Sequence, residues 1–161
     1  MALLKKLSYG IQAGIIGGLW MLGLMMADAI WQRQVWWVYP NLIGSAFYHS
    51  LAFSSGPGKA TVAGVALQLT IGGGTGGAFR VACGNVHSRH ILILLGTVTG
   101  LGLFFAERAF WWPRMEPSIL AYLPEPATVL SHVAFGACLG YAGMAMPHFG
   151  APSGPSDAVD L

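Results

Sequence analysis

The 161 residues are 55% hydrophobic and only 9% charged, with a net charge of +2 and a mean hydropathy of +0.60. A soluble domain carries roughly 25% charged residues to dress its surface, so the composition excludes an ordinary aqueous globule and argues for hydrocarbon as the main solvent. Lys and Arg are scattered singly apart from Lys5-Lys6, which excludes a nucleic-acid-binding stripe.

Four apolar stretches are long enough to cross a bilayer, which takes about 20 residues of helix. They run over about 8–30, 60–79, 90–110 and 127–146. Lipid offers the backbone no hydrogen-bond partners, so each must be helical at that depth. The expected fold is therefore an all-α integral membrane bundle of four helices spanning 1–149, with a flexible tail over 150–161. Lys5-Lys6, the apolar stretch after them and Ala27-Asp28-Ala29 imitate a cleavable signal, but the stretch is too long for a usual signal core and reads as the first span.

After the first span come Trp31, Trp36, Trp37 and Tyr39 around Arg33. Tryptophan settles at the headgroup level. Pro40 is expected to break the chain, with a short interfacial helix over Asn41 to Phe53, and Ser54 to Gly58 is a turn signal. The third span closes similarly, in Phe110-Trp111-Trp112-Pro113-Arg114. Trp31, Trp36, Trp37, Trp111 and Trp112 are thus expected interfacial anchors. Lys5 and Lys6 place the amino terminus in the cytoplasm, and the localisation expected is multi-pass in a bacterial inner membrane. The flanking Lys and Arg tie between the two sides, so the positive-inside rule decides little.

Glycines spaced by four recur in every span: Gly14 and Gly18, Gly72 and Gly76, Gly96 and Gly100, Gly136 and Gly140. That spacing puts them on one helix face, where backbones can approach closely. Gln68-x-x-x-Gly72-x-x-x-Gly76 also lies over His132-x-x-x-Gly136-x-x-x-Gly140. The first and third spans each follow a glycine ladder with an acid (Asp28, Glu107), a Trp-Trp pair and a proline (Pro40, Pro113). These parallels suggest two repeated helix hairpins. The run Ala13-Gly14-Ile15-Ile16-Gly17-Gly18-Leu19, the Trp-rich loop with Pro40-Asn41-Leu42, Gly64-Val65-Ala66-Leu67-Gln68 and His132-Val133-Ala134-Phe135-Gly136 together resemble an uncharacterised group of small four-span bacterial membrane proteins. In that pattern a histidine often stands where this chain has Gln68. The resemblance implies topology and bacterial origin, and no activity.

An ionisable side chain inside a membrane costs a few kcal/mol and needs a reason. The intramembrane polar candidates are Asp28, Gln68, Glu107, Arg108 and His132. A carboxylate with a histidine could relay protons, hold a cation or bind a quinone head; equally, Asp28, Glu107 and Arg108 stand near helix ends, where they could simply meet headgroups. His132 lies well inside an apolar helix. It could ligate haem, but no second histidine is an obvious mate, and a hydrogen bond to a neighbouring helix is the blander expectation. His87-x-x-His90 has no Cys, Asp or Glu nearby, and Cys83 and Cys138 match no metal, haem-attachment or redox spacing. Neither set makes a metal site. The glycine run Gly72 to Gly77 lacks the Lys-Ser/Thr ending of a phosphate loop, and no nucleophile elbow or nucleotide fingerprint occurs.

The function expected is a small structural or accessory subunit of a larger bacterial membrane complex, respiratory or photosynthetic and so tied to electron transport, with no enzymatic activity of its own. The expected partners are the bilayer and other membrane subunits, with bound lipid or pigment as candidate ligands. The alternatives are a homo-oligomeric ion or solute pathway and a haem- or quinone-binding subunit.

Overall fold

The computed structural model describes residues 2–142; the expected tail and the last residues of the fourth span lie outside them. The described residues are helical with short connections. In chain order they form α1 (Ala2–Trp31), α2 (Val38–Tyr48), α3 (Ser50–Ser54), α4 (Lys59–Cys83), α5 (Arg89–Ala106), a π-helical turn (Glu107–Trp111), α6 (Trp112–Met115), α7 (Ile119–Tyr122) and α8 (Glu125–Ala142). Two helices are long and apolar enough to cross a membrane, residues 3–31 and 89–115.

The long helices pair as α1 with α4 and α5 with α8, and α1 also packs along α8. Glycine makes these approaches possible. A Cβ on Gly14 would run into the Gly72 carbonyl, one on Gly76 into the Gly10 carbonyl, and one on Gly96 into the Gly136 carbonyl. Gly100 meets the His132 carbonyl in the same way, and a Cβ on Gly140 would lie 2.5 Å from the Leu92 carbonyl oxygen. With backbones this close, dispersion contacts and Cα–H···O contacts replace side-chain interdigitation. Gly18 is the looser member of the set, because an added Cβ would sit 3.6 Å from the Gln68 carbonyl in ordinary contact.

The segment after α1 differs from expectation. Pro40 does not break the chain there; it occupies the third position of α2, within the first turn, where the missing N–H has no intrahelical acceptor. Nor does α2 lie loosely alongside. Gly64 meets the Pro40 carbonyl and Gly44 meets the Ala60 carbonyl, so α2 lies flush on α4. Tyr39, Asn41, Leu42, Ser45 and Ala46 are all buried as a result. Asn41 anchors the connection that follows. Its amide donates to the Ala52 carbonyl at 3.2 Å and the Ser55 carbonyl at 3.0 Å, and its oxygen accepts from Thr61 at 2.6 Å.

Trp112 is also not an interfacial anchor. It is 5% exposed and belongs to a core cluster with Met25, Ala29, Tyr39, Leu42, Ala46 and Ile119. Trp31, by contrast, is 87% exposed, Trp36 and Trp111 are exposed, and Trp37 is half-buried. Pro113 explains the difference between Trp111 and Trp112. It has no N–H to offer the carbonyl four residues back, and the helix widens before it: the Trp112 N–H donates to the Glu107 carbonyl, five residues earlier. Such an extra residue per turn changes which side chains face inward. A second cluster of Ala13, Met21, Phe79, Leu92, Phe135 and Leu139 fills the other part of the bundle.

Candidate functional site: a buried carboxylate and imidazole

Where the two core clusters meet, Met21 and Met25 of α1 line a cavity of about 30 Å³ together with Gln68, Glu107, Thr128 and His132. Those residues come from four segments, α1, α4, the π turn and α8, which therefore meet at one space. Gln68, on α4, donates to the Met21 sulfur at 3.1 Å. His132, on α8, is completely buried, with its ring edge-on to Phe104 at a centroid distance of 5.4 Å. Glu107 reaches in from the π turn, its side chain 13% exposed.

The protonation of the histidine follows from its partners. His132 Nδ1 lies 2.7 Å from the Thr128 carbonyl oxygen, one helical turn back. A carbonyl can only accept, so Nδ1 carries the hydrogen, and in the neutral ring Nε2 is a bare lone pair. Facing it at 3.3 Å is Glu107 Oε2. An ionised carboxylate is also acceptor-only. Two acceptors this close repel unless a proton lies between them or a third group donates to both. With one proton, the pair is either an imidazolium with a carboxylate or an imidazole with a carboxylic acid, and that proton moving across the gap converts one into the other. The contact is short but not aligned as a formed hydrogen bond, and Nε2 is one of two buried side-chain nitrogens among the described residues that have none, the other being Arg80 Nε. One water needs about 10–15 Å³, and the cavity beside the pair, though largely apolar in its lining, has that much room.

The expected polar set divides into three. Gln68, Glu107 and His132 converge. Asp28 does not line the cavity: further along α1, it accepts from Tyr39 at 2.9 Å and from Gln32 at 2.6 Å. Tyr39 is held well above the usual phenol range by its burial and then by the adjacent Asp28 carboxylate, so it remains a hydrogen-bond donor. Arg108 points to the periphery, 4.0 Å from Glu125 with both side chains exposed, a pairing of little energetic weight. Asp28 also drops out as the counterpart of Glu107 between the hairpins. Counting along the packed seams, Gly14 matches Gly96 and Gly18 matches Gly100, so seven residues further on Met25 matches Glu107.

A haem does not fit His132. Nδ1 is committed to Thr128, Nε2 faces a carboxylate, and the adjoining space is about 30 Å³, far below what a macrocycle occupies. His87 and His90 lie beside α5's first turn, away from this cavity. Thr128, Met21, Met25 and Arg80 were not legible as site or buried polar residues from sequence. The threonine had a signal, since it stands four residues before His132 on the same helix face, whereas the burial of Arg80 against Gly10 depends on the seam alone. No protein-family model, curated protein or solved structure matches the chain.

Proposed function

We propose that this chain is a four-span protein of a bacterial inner membrane, serving a larger membrane complex as a small accessory subunit that holds and exchanges a proton at Glu107–His132. The observation that carries the reading is the 3.3 Å approach of Glu107 Oε2 to the acceptor nitrogen of a fully buried histidine, beside a cavity of water size. A buried ionisable pair that served only packing would be replaceable by apolar residues at no loss of stability; a pair that shares one mobile proton is what a relay needs. The membrane setting is supported by the sparse charge, the two long apolar helices and the large apolar side chains that face outward, among them Leu19, Trp20, Val62, Leu94, Val98 and Leu130. Lys5 and Lys6 favour a cytoplasmic amino terminus. In that orientation the site would lie nearer the opposite face.

The test is infrared difference spectroscopy on the protein reconstituted in bilayers. A carboxylic-acid carbonyl band that responds to bulk pH and to heavy water, and that is missing in Glu107→Gln, is the expected result. Identical spectra for the wild type and Glu107→Gln would remove the proton-exchange role. The accessory role is tested by purification in mild detergent, where other membrane subunits should co-purify stoichiometrically; a lone, stable monomer counts against it.

A further inference from the structure

The cavity beside Glu107 and His132 also holds sulfur. Met21 and Met25 stand one turn apart on the same face of α1, both 5% exposed, and both line the cavity. The Gln68 amide donates to the Met21 sulfur at 3.1 Å, which holds that thioether beside the space. A thioether has two lone pairs, so this bond uses one of them. Among the described residues no three His, Cys, Asp or Glu side chains gather as a metal-ligand group. What the cluster can hold is therefore decided by its two sulfurs together with the imidazole and the carboxylate.

The imidazole and carboxylate are spaced as two ligands of one ion. His132 Nε2 is completely buried and has no hydrogen-bond partner, with Glu107 Oε2 at 3.3 Å. A tetrahedral ion with bonds of about 2.0–2.1 Å keeps a nitrogen and an oxygen ligand about 3.3–3.4 Å apart. Such an ion sits off the line between the two atoms, so the nitrogen lone pair is directed beside the oxygen rather than at it. That matches a contact that is short yet not aligned as a hydrogen bond. The Nδ1 bond to the Thr128 carbonyl fixes tautomer and ring orientation, as a second bond generally does for metal-binding histidines.

We propose that this cavity binds a soft monovalent metal ion, copper(I), between the Met21 and Met25 sulfurs, His132 Nε2 and a Glu107 carboxylate oxygen. The ion goes beyond the proton reading and shares only the pair with it: ion and shared proton are alternative occupants of one place. Thioethers select copper(I) over the harder ions that carboxylate and imidazole alone would take. Charge agrees, because one carboxylate neutralises a monovalent ion, whereas a divalent ion would leave a net charge buried. Volume agrees as well. The cavity of about 30 Å³ exceeds the roughly 10–15 Å³ that a single water requires, and an ion is no larger.

The experiment uses the full chain in detergent carrying Cys83→Ala and Cys138→Ala, since free thiols bind copper(I) themselves. Copper(I) is supplied as its bicinchoninate complex under ascorbate, and the affinity is read from the competition. A single ion per chain is expected, held about tenfold or more weakly in Met21→Leu and in Met25→Leu. Met26→Leu, at the neighbouring methionine that does not line the cavity, should leave the affinity unchanged. Leucine conserves the volume of methionine, so the metal-free variants should unfold at the wild-type midpoint, which separates lost binding from lost fold. X-ray absorption at the copper edge should show sulfur and nitrogen or oxygen in one shell. Binding unchanged by both cavity variants, a shell of sulfur alone or of nitrogen and oxygen alone, or displacement by equimolar zinc(II) overturns the proposal. Copper binding with no pH-sensitive carboxyl band sinks the proton reading alone; the band without copper binding sinks this proposal alone.

Discussion

Gln68 and His132 stand at the same step of two glycine seams and line the same cavity. Four residues after each comes a glycine locked against a partner backbone, Gly72 against Gly14 and Gly136 against Gly96, and four later another, Gly76 and Gly140. The two polar side chains are thus delivered to one place by the same helical arithmetic. What distinguishes them is chemistry: the glutamine cannot titrate and the histidine can. On the other two helices the same register sets Met25 opposite Glu107. One hairpin contributes soft, uncharged groups to the cavity and the other contributes the ionisable pair.

The glycines differ sharply in what a methyl group would do. At Gly14 and Gly136 a Cβ would collide with a facing backbone carbonyl, which no rotamer change can relieve. Alanine there should cost at least about 1–3 kcal/mol by overpacking. At Gly23, Gly74 and Gly102 nothing lies within 4 Å of the new Cβ, so alanine should be neutral or stabilise by about 0.5–1 kcal/mol through helix propensity. Unfolding in detergent for the five single variants checks this. Equal effects at the two classes of position would mean that the seams are not the close contacts described.

Much of this arrangement was legible because period and spacing are properties of the chain. The glycine spacing of four predicted the faces that meet, and the length of the apolar stretches predicted where the four long helices lie. What was not legible depended on register between helices. Asp28 and Glu107 look equivalent in sequence, each an acid before Trp-Trp and proline, but the seam fixes Met25 as the counterpart of Glu107 and leaves Asp28 to Tyr39. Trp112 reads like Trp111, yet the π turn before Pro113 brings one to the core and leaves the other exposed. Pro40 reads as a break, but a proline in a first turn lacks only a donor that had no partner.

Asn41 is the polar keystone of the segment between α1 and α4. Asn41→Ala would leave the Ala52 and Ser55 carbonyls and the Thr61 hydroxyl short of a partner, at about 1–3 kcal/mol. Asn41→Asp should be worse, since it replaces a donor facing two carbonyls with an acceptor. A double-mutant cycle with Thr61→Val should show coupling of about 0.5–3 kcal/mol. Additivity would break the proposed linkage.

The Glu116 carboxyl ties two connections together. It accepts from the Ser118 hydroxyl and contacts His49 Nδ1 at 3.1 Å. The serine bond, and secondarily the histidine, hold it below the ordinary glutamate value of 4.5. A depressed carboxylate stabilises the fold above its unfolded value, and that stability disappears as pH falls through the lowered one. The acid limb of a melting-temperature profile should therefore flatten in Glu116→Gln. Ser118→Ala should flatten it more than His49→Ala does, because the hydroxyl contributes the larger share. An acid limb unaffected by all three variants would show that Glu116 is not held in this way.

Glu107 offers a substitution that separates shape from charge. With Nδ1 of His132 committed to Thr128, Nε2 can accept a hydrogen bond from an amide. Glu107→Gln supplies that donor in nearly the same volume, so its stability should lie within about 1 kcal/mol of wild type. Glu107→Leu supplies none and leaves a buried lone pair facing an apolar side chain, at about 1–3 kcal/mol. Reversible unfolding of both variants in mixed detergent gives the comparison. The leucine variant matching the glutamine one would indicate that Nε2 is satisfied by something other than Glu107, and the shared proton would lose its structural basis.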